Sequence, residues 1–222
     1  MLRALSILLI CGILALYYAL LPAPTKPKVE SASTQPVQTK FARSSTTKPA
    51  RIETASFSGG CFWAMEAIFR ETPGVISTRV GFSGGHTLNP TYKQVCTGTT
   101  GHAETTEIQF DPDKISYAHL LELFFENHNP TFEHRGGDWT DQCRSTIFFH
   151  TPEQKHLAEI ELEKRQRSDE YVGPILTEIR PASEFYSAES YHQQYVEKQG
   201  IKYVCPIGNG KKKTQERHND SN

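Results

Sequence analysis

The sequence has few cysteines, and no two of them stand close together. Its 222 residues include five cysteines and two methionines, and no cysteine pair has the Cys-x-x-Cys spacing. Zinc sites are usually built from such pairs, so we expect no metal site. Outside the apolar N-terminus the cysteines are Cys61, Cys96, Cys143 and Cys205. They could form structural disulfides in an oxidising compartment, or they could serve redox or catalytic chemistry.

The sequence also lacks an excess of charge of either sign. Its formal net charge is −1 at pH 7, and acidic and basic residues are interspersed. A nucleic-acid surface would need a basic patch, so we expect no nucleic-acid binding. After the N-terminal region, the chain is long enough for one domain with its own core. We expect that domain to be a monomer.

Charged residues are absent from residues 4–21, which are mostly Leu, Ile, Ala and Tyr. This run is long enough to span a bilayer, and no good small-x-small cleavage site follows it. We therefore predict a membrane anchor over residues 1–21, with the domain on the extracytoplasmic side. If the segment is cleaved, the protein is secreted or periplasmic. Residues 22–53 are rich in Pro, Thr, Ser and Lys, which predicts a disordered linker.

Helix and strand patterns interleave over residues 54–208, the predicted domain. Strands are predicted at 55–59, 75–82, 104–110, 147–149 and 175–179, and helices at 61–69, 116–127 and 151–167. Residues 130–142 read as an irregular loop, and 209–222 as a disordered polar tail. The strands and helices do not alternate regularly along the chain, as they would in a sheet of parallel strands joined by crossover helices. This order favours an α+β fold, a two-layer α/β sandwich with a mixed sheet and a ferredoxin-like core.

Cys61 stands at the start of a predicted helix, directly after two glycines. Free N–H groups and the positive end of the helix dipole stabilise a thiolate there. This position favours a reactive thiol over a cysteine that only packs in the core. Phe62 and Trp63 follow, and two consecutive helical residues cannot face the same side. We expect at least one of them to line a pocket.

Six short blocks of the sequence form a wider pattern. They are Gly60–Trp63, Gly81–Gly85, Asn89–Tyr92, Gly101–Glu104, Glu126–His128 and His192–Tyr195. In residue type, order and spacing they resemble the A-type peptide methionine sulfoxide reductases, and the resemblance extends from about residue 57 to residue 208.

The resemblance implies how the site works on free and peptide-bound methionine sulfoxide. Cys61 would attack the sulfoxide sulfur of the S epimer, and Glu104, its pKa raised by an apolar setting, would donate a proton to the oxygen. Tyr92 would help to hold that oxygen. Phe62 and Trp63 match the aromatic walls around the S-methyl group. Asp138 matches an aspartate near the substrate.

The resemblance also implies how the enzyme is regenerated. Oxygen transfer leaves a sulfenic acid on Cys61, which condenses with a second thiol to a disulfide. Cys205 matches the resolving position of the family. No bound cofactor is implied, and thioredoxin or a similar external dithiol would reduce the disulfide.

One position departs from the family pattern. Most members carry Gly-x-Gln-Tyr-Arg-Ser, whereas residues 141–145 are Asp-Gln-Cys-Arg-Ser, so Cys143 replaces a second oxygen-binding tyrosine. The lost or weakened hydrogen bond would cost about 1 kcal/mol. We hypothesise that Cys143 lies beside Cys61 and acts as an additional resolving thiol. Cys96 is expected to be buried and inert.

Two other functions stay open at this point. A cysteine hydrolase would need a histidine base for Cys61, and the candidates are His86, His102, His128 and His192. An inactive homologue would serve as a binding module, and the replaced tyrosine makes that alternative relevant.

Overall fold

The computed structural model describes residues 51–132, 141–201 and 210–211. The predicted anchor, most of the predicted linker, Asp138 and Cys205 lie outside these residues. In the part of the chain that is described, no helix is long and apolar enough to cross a membrane. The first strand begins at Glu53, one residue before the predicted start of the domain.

The described residues form six strands, five α-helices and one 3-10 helix. The strands are β1 (Glu53–Ser58), β2 (Val75–Ser83), β3 (Ala103–Phe110), β4 (Thr146–Phe149), β5 (Glu178–Pro181) and β6 (Tyr186–Ser187). The helices are α1 (Phe62–Arg70), α2 (Tyr92–Val95), α3 (Tyr117–Asn127), α4 (Pro152–Arg167) and α5 (Tyr195–Gln199), and the 3-10 helix is Asp141–Cys143. The predicted helices and the first four strands agree with these bounds to within a residue or two.

The strands form one sheet in the order β5-β4-β1-β3-β2-β6. All neighbours pair antiparallel except β4 and β5, which are parallel, so the sheet is mixed as predicted. The four central strands, with α1 following β1 and α3 following β3, have the β-α-β-β-α-β order of a ferredoxin-like core. The α+β prediction is confirmed.

The main core lies between one face of the sheet and the helices. Alternate residues of a strand share a face, and Phe57 of β1 pairs with Thr106 of β3. The Phe57 ring stacks on Phe69 of α1 at 5.5 Å and on Phe124 of α3 at 5.1 Å. Because Glu104 lies two residues before Thr106, the same alternation turns its side chain towards this helix-covered face. The sheet therefore determines which way the Glu104 carboxyl points.

Helix starts follow the capping signals in the sequence. The Ser116 hydroxyl accepts a hydrogen bond from the His119 amide at the start of α3, and Thr151 accepts one from Gln154 at the start of α4. Pro152 occupies the first turn of α4, where no N–H is needed.

Four elements were not predicted, and one strand is displaced. The unpredicted elements are α2, β6, α5 and the 3-10 helix, and each has two to five residues, too few for a hydrophobic period to show. The predicted strand 175–179 is observed as β5 at Glu178–Pro181, where parallel pairing with β4 sets the register. Gly210 and Lys211 fall in the predicted polar tail but reach Tyr171 and Val172 through backbone pairing.

We predict that Phe57→Ala lowers the free energy of unfolding by about 3–5 kcal/mol, because its fully buried ring leaves a cavity among three aromatic neighbours. Urea unfolding measures the change. The control is Ile76→Ala, whose side chain is half exposed and should cost within about 0.5 kcal/mol. Equal losses in the two variants would contradict this description of the core.

Candidate active site

A tight turn between β1 and α1 presents Cys61. Gly60 has φ +85°, in the left-handed region that favours glycine. A Cβ on Gly59 would lie 2.9 Å from the Phe124 ring, so this position also requires glycine. Cys61 is the N-cap residue of α1 and is partly exposed. The helix therefore begins directly after the thiol, and the positive end of its dipole faces the sulfur-bearing residue.

Glu104 of β3 meets the start of the same helix. Its Oε2 accepts a hydrogen bond of 3.1 Å from the Phe62 amide, the first N–H of α1. The side chain is 4% exposed, and burial raises the pKa of Glu104 to about 7, against the lowering effect of the Phe62 hydrogen bond. A large fraction of the carboxyl is therefore protonated at neutral pH. This is the state required of a proton donor.

Tyr92 begins α2 and Cys96 is its C-cap residue, and both lie close enough to Glu104 for its charge to act on them. Burial raises the pKa of Tyr92, and the Glu104 charge and the Cys96 thiol raise it further, so the phenol stays protonated. Cys61 also acts electrostatically on Tyr92, so these side chains share one electrostatic environment. Cys96 is half-buried, not fully buried as expected, because it lies at the end of the short helix α2.

Phe62 and Trp63 diverge, as predicted for consecutive helical residues. Phe62 is buried in a second apolar cluster with Val80, Phe82 and Val95. Trp63 is partly exposed and stacks on Tyr195 with ring centroids 4.0 Å apart.

His192 joins these aromatic side chains. Its Nδ1 accepts a 3.0 Å hydrogen bond from the Trp63 indole N–H, and its ring lies 4.3 Å from Tyr92 and 5.2 Å from Phe62. Burial lowers the pKa of His192, which favours the neutral ring that can accept through Nδ1. The Nε2 atom lies 3.9 Å from Glu189 Oε2. His192 therefore fixes the orientation of the Trp63 ring.

Two side chains hold the His192–Tyr195 segment in place. The Gln193 amide accepts from Val80 N at 2.9 Å and donates to Val80 O at 2.8 Å, as a neighbouring strand would. The buried Glu66 carboxylate accepts from the Gln194 amide and from the Thr78 hydroxyl. The sequence named His192 only as a candidate base for a hydrolase and did not predict Tyr195 as a site residue, although both lie in one of the six sequence blocks.

The other histidine candidates do not support a hydrolase. Both ring nitrogens of His102 are hydrogen-bonded, to the Gly85 amide and the Thr87 carbonyl. Both nitrogens of His128 are also bonded, to the Phe124 carbonyl and the Ser145 hydroxyl. These contacts fix loops and leave neither ring a nitrogen with which to act as a base. His86 is exposed.

Cys143 ends the 3-10 helix, and its carbonyl accepts a 3.1 Å hydrogen bond from the Gly60 amide. Its backbone therefore adjoins the turn that presents Cys61. Asp138 and Cys205 lie outside the described residues, so their roles stay predictions. In the described ranges, no three His, Cys, Asp or Glu side chains are grouped as a metal site.

We predict that Glu104→Gln becomes more stable relative to the wild type as pH rises. The folded pKa of about 7 exceeds the ordinary 4.5, so the carboxyl contributes stability below about pH 4.5 and loses it as pH rises through 7. Between about pH 4 and about pH 8, the difference in unfolding free energy should move by about 3 kcal/mol in favour of the variant. Urea unfolding at both pH values tests this. A constant difference would show that Glu104 has an ordinary pKa.

Comparisons with known proteins agree on one family. A family model described as "Peptide methionine sulfoxide reductase" matches residues 53–222. Peptide methionine sulfoxide reductase MsrA of Methanosarcina acetivorans is 51% identical over 151 residues, which cover 68% of this chain and 80% of that protein. The MsrA of Geobacter sulfurreducens is 49% identical over 150 residues, covering 67% of this chain and 93% of that protein.

Solved structures show the same likeness. Methionine sulfoxide reductase A of Corynebacterium diphtheriae has a TM-score of 0.60 at 39% identity, covering 72% of this chain and 80% of that one. Reduced Mxr1 of Saccharomyces cerevisiae has a TM-score of 0.63 at 30% identity, covering 72% and 93%. The protein whose Cys61, Glu104 and aromatic side chains meet at the start of α1 belongs to the peptide methionine sulfoxide reductase family.

Proposed function

We propose that this enzyme reduces the S epimer of methionine sulfoxide, free or within polypeptides, to methionine, and that it thereby repairs oxidised proteins. The observation that supports this most directly is the position of Glu104. A buried carboxyl with a pKa of about 7 is hydrogen-bonded to the residue that follows Cys61. The proposed proton donor, Glu104, therefore lies next to the proposed nucleophile, Cys61.

The first half-reaction begins at the Cys61 thiolate. Its sulfur attacks the sulfoxide sulfur while the sulfoxide oxygen takes the Glu104 proton, because an unprotonated oxygen is a poor leaving group. The bond that formed between the two sulfur atoms and the S–O bond of the substrate then break, and the hydroxyl passes to the Cys61 sulfur. Methionine leaves, and Cys61 remains as a sulfenic acid. The Tyr92 hydroxyl stays protonated and can donate a hydrogen bond to the oxygen.

The aromatic side chains account for substrate recognition. Phe62 and Trp63 offer ring surfaces to the methyl and sulfur groups, a favourable kind of contact for sulfur. The Trp63 ring is held by the His192 hydrogen bond and by stacking on Tyr195. We assign Asp138 to the same substrate region on the family pattern.

The second half-reaction restores Cys61. We assign Cys205 as the resolving cysteine on its sequence position. Its thiol attacks the sulfenic sulfur, a disulfide forms, and the hydroxyl leaves as water with the thiol proton. Thioredoxin or a similar dithiol then reduces the disulfide by thiol exchange, so no bound cofactor is needed.

The direct test is turnover of the separated S and R epimers of dabsylated methionine sulfoxide by the full-length enzyme with dithiothreitol. We expect consumption of the S epimer only, loss of activity in Cys61→Ser, and a fall of about 100-fold or more in Glu104→Gln, because general acid catalysis contributes about 10²–10⁴-fold. Turnover of neither epimer by the wild type would favour the binding-module hypothesis.

We further propose that residues 4–21 anchor the enzyme in a membrane with its domain on the extracytoplasmic side. The support is the uncharged apolar run, which Arg3 precedes. If that segment is cleaved, the same topology gives a secreted or periplasmic enzyme.

A fusion of alkaline phosphatase after residue 54 tests this topology, since the phosphatase needs an oxidising compartment to fold. We expect an active fusion, and membrane fractionation separates an anchored protein from a cleaved one. An inactive fusion, produced in normal amount, would place the domain in the cytoplasm.

A further inference from the structure

Cys143 lies next to the turn that presents Cys61. The Gly60 amide donates to the Cys143 carbonyl at 3.1 Å, and Gly60 directly precedes Cys61. Hydrogen-bonded neighbouring segments lie about 5 Å apart, and disulfides join Cα atoms about 4.4–6.8 Å apart. Cys61 is one residue further along the chain than Gly60, so a disulfide between Cys61 and Cys143 requires the turn to bring their Cα atoms into that range. Both cysteines are also partly exposed, so a thiol reaction between them needs no core opening.

The two residues that follow Cys143 are held by side-chain hydrogen bonds. The Arg144 guanidinium donates to the Gly101 carbonyl at 2.8 Å and to the Asp141 carbonyl at 3.2 Å. The Ser145 hydroxyl contacts His128 Nε2 and the Thr177 hydroxyl, each at 2.8 Å. These contacts hold the segment in place, and the hydrogen bond from the Gly60 amide to the Cys143 carbonyl joins it to the turn before Cys61. A thiol on a segment held in this way has lost much of its freedom to move, which favours reaction with a neighbouring sulfenic acid.

Cys96, the other described cysteine in this region, is less suited to the same role. Its side chain interacts with the Tyr92 side chain, and burial raises the pKa of its thiol. A thiol with a raised pKa holds less of the thiolate that attacks sulfur. Cys96 therefore provides an internal control.

We propose that Cys143 is a resolving thiol for Cys61. This rests on the proposed function, in which oxygen transfer leaves a sulfenic acid on Cys61. The Cys143 sulfur attacks the Cys61 sulfur, the S–S bond forms and the S–O bond breaks, and the hydroxyl leaves as water with the Cys143 proton. Methionine sulfoxide is the only oxidant needed. The resulting disulfide is a substrate for thiol exchange with Cys205 or an external dithiol.

The test is a single turnover of full-length Cys205→Ser with methionine sulfoxide and no reductant. Released methionine is quantified, and alkylation, dimedone labelling and peptide mass mapping locate the thiols, sulfenic acid and disulfides. We expect one methionine per enzyme, a disulfide between Cys61 and Cys143, an alkylated Cys96, and little dimedone adduct. The matched variants Cys205→Ser/Cys143→Ser and Cys205→Ser/Cys143→Tyr should each also release one methionine per enzyme, whatever their rates, because release precedes the resolving step. In both, Cys61 should remain as a dimedone-reactive sulfenic acid.

The outcomes separate this inference from the proposed function. If Cys205→Ser releases methionine but Cys61 stays dimedone-reactive and Cys143 stays alkylatable, Cys143 is not a resolving thiol and the proposed function stands. A disulfide between Cys61 and Cys96 would also overturn the inference. If the wild type and Cys205→Ser release no methionine, both fail.

Discussion

The hydrogen bond from the Phe62 amide to the Glu104 carboxyl is the interaction on which the site depends. It joins the first turn of α1 to β3, so that the N-terminus of the helix and the Glu104 carboxyl lie side by side. A charged carboxylate would be expensive to bury there with one amide donor, so the acid retains its proton to higher pH. One residue earlier, the same helix start places Cys61 where a thiolate is stabilised. The start of α1 therefore favours a thiolate at Cys61, while burial on β3 raises the pKa of the Glu104 carboxyl to about 7.

The surrounding aromatic residues maintain this arrangement. Phe62 is buried against β2, while Trp63 lies between His192 and Tyr195. His192 and Tyr195 are held at the site because the Gln193 side chain binds the backbone of Val80 and the Glu66 carboxylate binds the amide of Gln194. Burial raises the pKa of Glu104. In the proposed function, the same packed rings would support both substrate binding and acid catalysis.

Much of the fold could be predicted from the sequence because its signals are local. The alternation through Thr106, Ile108 and Phe110 identifies β3 and the face that it buries, and Ser116 and Thr151 mark the starts of two helices. The register of β5 could not be predicted because it depends on pairing with β4. The helices α2 and α5 could not be predicted because they are too short to show a hydrophobic period. In the site, the position of Cys61 followed from the two glycines before it. The role of His192 did not, since it depends on an indole contact 129 residues away along the chain.

Glu104 holds a proton to about pH 7 because the fold buries it beside the start of α1. Titration of the glutamate side-chain carboxyls by carbon-13 NMR measures this pKa, with Glu104→Gln to assign the signal. The signal missing from the variant should titrate near pH 7. A signal that titrates near the ordinary value of 4.5 would contradict this prediction, because the carboxyl would then be ionised and unable to protonate the sulfoxide oxygen at neutral pH.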